Sequence, residues 1–79
     1  MRWRYKLKEK SERIFIYAYS RETSDLDGLI TYDVEKQTAS IMRPSSLDRN
    51  SKKAQTKALQ HFATVVEKGF PEEQYICCG

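Results

Sequence analysis

Long apolar runs, paired histidines and spaced cysteines are all missing from this sequence. A helix that spans a membrane needs roughly 20 consecutive apolar residues, and no segment approaches that length. The arginines near the N-terminus are not followed by an apolar core, so we expect no secretory signal peptide. These absences favour a cytoplasmic protein without a membrane partner.

The few residues with metal-binding or nucleophilic chemistry are poorly arranged for either role. A structural zinc site needs four ligands at characteristic spacings, whereas the chain has one histidine, His61, and two adjacent cysteines, Cys77 and Cys78. A disulfide between adjacent cysteines would be strained, and reduced thiols suit the cytoplasm. A cysteine nucleophile needs an orienting base and a pocket. We therefore expect no metal, no cofactor and no enzymatic activity.

The bulky apolar residues are sufficient for one small core. The 79 residues include five Tyr, three Phe and one Trp, although 32% of the chain is charged. A chain of this size folds as one domain with a modest buried fraction, so we expect residues 1–79 to form a single domain.

The first half of the chain has the alternation of β-strands. Residues 2–8 and 13–19 both have the pattern of β-strands, and the four polar residues 9–12 between them are a turn of hairpin length, which predicts an antiparallel hairpin. The simplest register places Leu7 opposite Ile14, Tyr5 opposite Ile16 and Trp3 opposite Ala18. Aligned in this way, Phe15, Tyr17 and Tyr19 lie on the face of the sheet away from Trp3.

A second hairpin and a helix follow. The turn Glu35-Lys36-Gln37 predicts a hairpin with Ile30 opposite Ile41 and Tyr32 opposite Ala39. From about residue 50 the apolar period becomes helical. Gly69, Phe70 and Pro71 then indicate a helix end of the Schellman type.

The predicted fold is therefore α+β, with a four-stranded antiparallel sheet of two β-hairpins (2–43) and one C-terminal helix (about 50–68) packed on one face. The residues 70–79 form a short tail, for which a short fifth strand, an arm or a frayed end are open alternatives. The predicted core comprises Trp3, Tyr5, Leu7, Ile14, Ile16, Ile30, Ile41, Ala58, Leu59, Phe62, Val65 and Val66.

The net charge of +3 is divided into blocks. Residues 1–13 and 36–57 each carry six basic side chains, against two and one acidic ones, whereas the segments between and after them are acidic. If the fold brings the basic blocks together, their candidate anion or nucleic-acid site comprises Arg2, Arg4, Lys6, Arg43, Lys52 and Lys53.

The uncovered face of the predicted sheet allows three interpretations. Aromatic rings beside cations suit single-stranded nucleic acid, because bases stack on rings while Arg and Lys hold phosphates. Long basic side chains can instead lie over the rings and cover them. The third interpretation is a protein interface, with a second copy or another partner, formed by Phe15, Tyr17, Tyr19, Leu29 and Met42.

The predicted helix begins among positive charges. Lys52 and Lys53 lie where the helix dipole already disfavours cations. Free N–H groups and lysines at a helix start can converge on an anion. The alternative is a solvated lysine-rich turn, balanced in part by Asp48.

Four segments carry a resemblance to known sequences: YKLKEK (5–10), IYAY (16–19), LITYDVEKQTASI (29–41) and the helix end KGFPEE (68–73). Together they resemble a group of short bacterial proteins of unknown function, mostly from Gram-positive species. The resemblance implies the fold and assigns no active site. Two departures from the group are a turn with Gln37 or its neighbour where the group usually has Gly, and an end in Cys77-Cys78-Gly79 in place of aromatic residues.

These patterns favour a small non-enzymatic binding module. Its uncovered sheet face would contact protein, either a second copy in a homodimer or another partner. The alternative is nucleic-acid binding by the basic and aromatic sheet face and the basic helix start.

Overall fold

The computed structural model describes residues 2–21, 26–46 and 48–77. The elements follow in the order β1 (Arg2–Lys10), β2 (Ile14–Arg21), β3 (Gly28–Asp33), β4 (Thr38–Arg43), α1 (Lys52–Glu67) and β5 (Glu73–Cys77). The strands form one antiparallel sheet in the order β4-β3-β2-β1-β5. The predicted α+β class, antiparallel sheet and single helix are confirmed, but the prediction of four strands is wrong because the sheet has five.

The fifth strand is the part of the predicted tail that returns to the sheet. β5 pairs antiparallel with β1, with Arg2 opposite Cys77 and Trp3 opposite Ile76. Ile76 packs against the core, while the neighbouring Tyr75 is 58% exposed. Burial of Ile76 and pairing along an otherwise open strand edge stabilise this strand. The last two residues of the predicted tail, Cys78 and Gly79, lie outside the described residues.

The β1–β2 hairpin has a different register from the predicted one. Leu7 lies opposite Tyr17, Tyr5 opposite Tyr19 and Trp3 opposite Arg21, with a bulge between Leu7 and Glu9. Residues directly opposite each other in an antiparallel pair share a face. Phe15, Tyr17 and Tyr19 therefore lie on the same face as Trp3 and Tyr5, and Ile14, Ile16 and Ala18 lie on the other.

The side chains of β2 alternate between the two faces of the sheet, and the difference in size between the side chains on the two faces accounts for this orientation. Both sets are largely apolar, but Phe15, Tyr17 and Tyr19 can bury far more area than Ile14, Ile16 and Ala18. The bulge adds one residue to β1, which lets Trp3, Tyr5 and Leu7 stay inward while β2 turns its aromatic side inward. The predicted inward orientation of Ile14 and Ile16 is therefore wrong.

The β3–β4 hairpin has the predicted register. Ile30 lies opposite Ile41 and Tyr32 opposite Ala39. In the turn, the N–H of Lys36 donates to Asp33 Oδ1 at 3.1 Å, and Gln37 has a φ of 54°. Gln37 thus occupies the left-handed conformation for which glycine is the least costly residue.

The helix begins and ends at conventional signals. Ser51 is the N-cap, and its Oγ accepts a hydrogen bond from the N–H of Ala54 at 3.1 Å. At the other end Gly69 has a φ of 79°. The N–H of Phe70 donates to Val65 O at 3.0 Å, which is the hydrogen bond of the predicted Schellman motif.

The core lies between α1 and one face of the sheet. Phe62 is at its centre, with its ring in edge contact with those of Tyr5 and Tyr17. Gly28 is needed beside Tyr19, because a Cβ at this position would clash with the Tyr19 ring. The buried members of the core are Trp3, Tyr5, Tyr17, Tyr19, Ile30, Tyr32, Ala58, Phe62 and Val65, with Leu7, Phe15, Ala39, Ile41, Leu59, Val66, Phe70 and Ile76 packed against them.

Candidate functional site

The helix covers one face of the sheet, and among the described residues no second helix lies over the other face, whose small central residues Ala18 and Ser20 are nevertheless buried. Alternation along each strand and the pairing register place Arg4 and Lys6 of β1 on this open face, beside Ser20 and Ala18 of β2. Leu29 of β3 lies opposite Ala18. We call this surface the open face; its further members are Arg2, Ile14, Ile16, Thr31, Asp33, Thr38, Ser40, Met42, Arg43, Glu73, Tyr75 and Cys77.

Three of the five predicted interface residues are not on the open face. Tyr17 and Tyr19 are fully buried under the helix, and Phe15 packs against the core with its ring 4.3 Å from that of Phe70. The prediction that these rings form a binding surface is wrong, because the bulge in β1 turns them inward.

The hydroxyl groups of three buried tyrosines have partners inside the fold. Tyr17 donates to Pro71 O at 2.6 Å and Tyr5 donates to Ala58 O at 2.7 Å. Tyr19 Oη accepts from the N–H of Ser45 at 3.0 Å. Burial raises the pKa of Tyr17 to about 12 and also raises the pKa of Tyr19. These rings anchor the helix and its flanking segments.

The other two predicted interface residues lie where a partner can reach them. Met42 is 55% exposed, and Leu29 is half-buried near it on the neighbouring strand. Ile14 and Ile16, half-buried, extend the apolar surface along β2. The open face therefore has an apolar centre, formed by Ile14, Ile16 and Leu29 with Met42 beside it on the edge strand β4, and this centre differs from the predicted one.

A basic row runs along β1 beside this apolar centre. Arg4 forms an ion pair with Glu73, with 2.7 Å between Arg4 Nη2 and Glu73 Oε2, and its hydrogen bond to Glu73 raises the pKa of Arg4. The same guanidinium lies 5.6 Å from the ring centroid of Tyr75. Arg2 and Lys6 flank Arg4 on this face and are exposed. One exposed ring thus lies among three cations.

The six residues predicted to form one basic patch are in three separate places. Arg43 lies opposite Leu29 at the far edge of the sheet, where its Nε donates to Asp27 O at 2.9 Å. Lys52 and Lys53 are in the first turn of α1, on the opposite side of the sheet from Arg2, Arg4 and Lys6. A single shared patch is therefore not formed.

A cavity of about 210 Å³ lies at the start of α1. It is lined by Trp3, Arg21, Ser51, Lys53, Ala54 and Lys57. Lys53 and Lys57 are four residues apart, so the sequence alone predicts that they are neighbours on one side of the helix. Trp3 and Arg21 are brought here by the hairpin register, since they lie opposite each other on β1 and β2.

A buried ion pair fixes the segment that precedes the helix. Asp48 is fully buried, and its Oδ1 accepts from Arg21 Nε at 2.8 Å. The backbone of Asp48 also accepts from Gln55 Nε2 at 2.9 Å. Nearby, hydrogen bonds from Ser46 lower the pKa of Asp27. These contacts set the position of the helix start relative to β2.

The potential metal ligands are dispersed in the part of the chain that the structure describes. There, no three His, Cys, Asp or Glu side chains are grouped so that they could hold a metal ion. Cys77 is exposed on β5, and Cys78 is outside the described residues. Within the same residues, no helix has the length and apolar character needed to cross a membrane.

Comparisons with known proteins add no constraint on this site. No known protein family, curated protein or solved structure matches the chain. Inferences about function therefore depend on the geometry of the open face and of the cavity.

Proposed function

We propose that this protein is a non-enzymatic binding module that uses the open face to contact a second copy of itself. The observation that carries the proposal is the apolar part of the face, where Met42 on the edge strand is 55% exposed, Leu29 is half-buried on the next strand and Ile16 is half-buried one strand further in. A sheet in a small domain usually has its apolar faces covered. A second copy would cover this one.

The apolar part of the open face can be covered by the same face of a second copy. The charged residues of the face are spread over the sheet, with Arg2, Arg4 and Lys6 on β1, Asp33 on β3, and Arg43 and Glu73 on the two edge strands. A two-fold axis running along β2 would place β1 of each copy over β3 of the other, and the half-buried Ile14 and Ile16 of β2 against the same residues of the second copy. This isologous arrangement is the commonest symmetry of homodimers.

Light scattering after size-exclusion chromatography tests the proposal. We expect a dimer at about 500 µM that dissociates on dilution to about 10 µM, since association follows mass action. Met42→Asp should weaken the dimer at least about tenfold, because a carboxylate would be desolvated against the apolar surface of the second copy. Val34→Asp is the matched control, since Val34 is an exposed apolar residue in the β3–β4 turn, away from the face.

Two outcomes would contradict the proposal. One is a monomer at every concentration. The other is a dimer that Met42→Asp weakens no more than Val34→Asp does, which would place the interface elsewhere.

The exposed Tyr75 beside Arg4 favours a second candidate function, which is the binding of single-stranded nucleic acid. A base can stack on the Tyr75 ring while Arg2 and Lys6 contact phosphates. Tyr75 takes the role that the sequence assigned to Tyr17, which is buried.

Fluorescence anisotropy with labelled DNA and RNA oligomers tests this candidate at about 50 mM and about 150 mM salt. Replacing Arg2 and Lys6 by Ala should flatten the salt dependence, and the slope should change by about 0.7 for each phosphate that is no longer neutralised. Tyr75→Ala should lower the affinity and leave the slope unchanged, because stacking releases no counterions. Absence of binding at the lower salt concentration would rule out this function.

A further inference from the structure

The cavity at the start of α1 is electrostatically positive and lies away from the open face. Arg21, Lys53 and Lys57 contribute to its wall, and so does the N-cap Ser51. The first turn of α1 contains no acidic residue. Acidic side chains are the usual complement to the positive end of a helix dipole, and here lysines stand in their place.

The positive charge of this cavity is only partly neutralised by the protein. Arg21 is paired with Asp48, which is the buried acid behind it. Lys53 and Lys57 form no ion pair with any acid among residues 2–21, 26–46 and 48–77. As far as the described residues go, two ammonium groups without an acidic partner therefore lie beside the helix start.

Backbone donors are available at the same place. The first N–H groups of a helix have no intrahelical acceptor. Ser51 Oγ accepts a hydrogen bond from the N–H group of Ala54. The N–H groups of Lys52 and Lys53 are left without an acceptor in the helix. These groups and the lysine side chains can donate to one anion.

A further observation points to a missing acceptor. Trp3 is fully buried and contributes to the cavity wall. Its Nε1–H has no hydrogen-bond partner in the described part of the chain. A buried donor without an acceptor destabilises a fold, and an oxygen atom held in this cavity would remove that cost.

We propose that this cavity binds a phosphate group, either as inorganic phosphate or as the terminal phosphate of a small ester. A phosphate carries up to two negative charges, which match Lys53 and Lys57, and its oxygens can accept hydrogen bonds from several directions at once. The volume of about 210 Å³ admits the phosphate group and leaves room for a small part of an ester. The cavity is independent of the open face. Phosphate binding can therefore be tested in a monomer as well as in a dimer.

NMR titration of the ¹⁵N-labelled protein tests the proposal with two probes, inorganic phosphate and phenyl phosphate, at constant ionic strength. Trp3 is the single tryptophan of the chain, so one indole N–H signal reports on the cavity. We expect this signal to move downfield and to saturate with either probe. Tighter binding of phenyl phosphate would identify an organic phosphate as the ligand, and equal affinities would identify the phosphate group alone.

Paired variants separate a specific site from general attraction of anions. Lys53→Gln with Lys57→Gln should weaken binding at least about tenfold, since two charged hydrogen-bond donors are removed. Lys36→Gln with Lys68→Gln removes the same charge at two exposed positions outside the cavity wall and should change the affinity less than about twofold because of screening. Equal effects of the two double variants would overturn the proposal, as would an indole signal that phosphate does not move.

Discussion

At the scale of single residues, the buried tyrosines combine packing with hydrogen bonding. Tyr17 lies in edge contact with Phe62, and its hydroxyl reaches the carbonyl oxygen of Pro71 just after the helix end. One side chain thus joins β2, α1 and the segment that leads into β5. Its ionisation inside the core would be costly, because the phenolate would lose its hydration.

The raised pKa of Tyr17 predicts how stability depends on pH. Below pH 10 both folded and unfolded chains keep the proton. Between pH 10 and about 12 the unfolded tyrosine releases it while the native one does not. The free energy of unfolding should therefore fall in this window, by up to about 1.4 kcal/mol per pH unit for this group, and Tyr19 adds to the loss in the same direction.

Urea denaturation across this pH range checks the prediction. Tyr17→Phe should cost about 1–2 kcal/mol at neutral pH, through loss of the hydrogen bond to Pro71. The same substitution should also reduce the fall in the free energy of unfolding between pH 10 and about 12. Tyr75→Phe, which removes an exposed hydroxyl, is the control and should leave the profile of the wild type. Equal alkaline slopes for the wild type and Tyr17→Phe would show that Tyr17 does not cause the loss.

Gln37 gives a second prediction at this scale. Its φ of 54° is unfavourable by roughly 1–2 kcal/mol for a residue with a Cβ. Gly has no such cost but loses more entropy on folding. We expect Gln37→Gly to stabilise the protein by about 0.5–1 kcal/mol, measured as a higher urea midpoint.

The neighbouring turn residue provides the control for Gln37. Lys36 does not have a positive φ, so Lys36→Gly should destabilise the protein or leave it unchanged. A destabilised Gln37→Gly variant would contradict the expectation.

At the scale of secondary-structure elements, the sequence correctly predicts an element when every alternative arrangement of that element would be much less stable. The apolar stripe of α1 and its end at Gly69 have no competitive alternative, and the hairpin of β3 and β4 has one clearly apolar face. The strand β2 is different, because both of its faces are apolar and alternation does not decide between them. The choice depends on the bulge in β1, for which Leu7, Lys8 and Glu9 give no local signal.

The same limit explains the outcome for the candidate site. Lys52, Lys53 and Lys57 could be placed at a helix start from the helical period alone. Their meeting with Trp3 and Arg21 depends on the pairing of two strands, which the sequence predicted in the wrong register. The apolar centre of the open face was missed for the same reason, since Ile14 and Ile16 were assigned to the core.

The fifth strand gives a prediction at the scale of elements. In β5, Ile76 packs against the core and the adjacent Tyr75 points outward. Ile76→Asp should destabilise the protein by about 2–4 kcal/mol, because a carboxylate would replace packed apolar surface. Tyr75→Asp in the same strand should cost less than about 1 kcal/mol, as is usual for surface changes.

Thermal unfolding followed by circular dichroism compares these two variants. Similar costs for Ile76→Asp and Tyr75→Asp would mean that β5 is not docked with Ile76 inward.

At the scale of the whole molecule, all elements share one core. Phe62 of α1 contacts rings from β1, β2 and β3 through Tyr5, Tyr17 and Tyr32. A helix that touches three strands through one side chain couples their stability, so we expect unfolding to be a single cooperative transition.

Two spectroscopic probes check this cooperativity at one protein concentration. Fluorescence of Trp3 reports on the packing between β1 and the helix, because the centroid of its ring lies 5.6 Å from the ring centroid of His61. Far-UV circular dichroism reports on the entire backbone. The two urea midpoints should coincide, and a fluorescence change that precedes the dichroism change would reveal separate unfolding of the region around Trp3.

The pairing of β1 with β5 has a consequence for the response of this protein to mechanical force. Arg2 lies opposite Cys77 on antiparallel strands, so tension applied at these two residues pulls both strands apart from the same end. The hydrogen bonds of an antiparallel ladder lie perpendicular to the strands, and in this geometry they carry the load one after another rather than together. The sheet would therefore peel open from β5 inward at low force, however stable its aromatic core is to heat or denaturant.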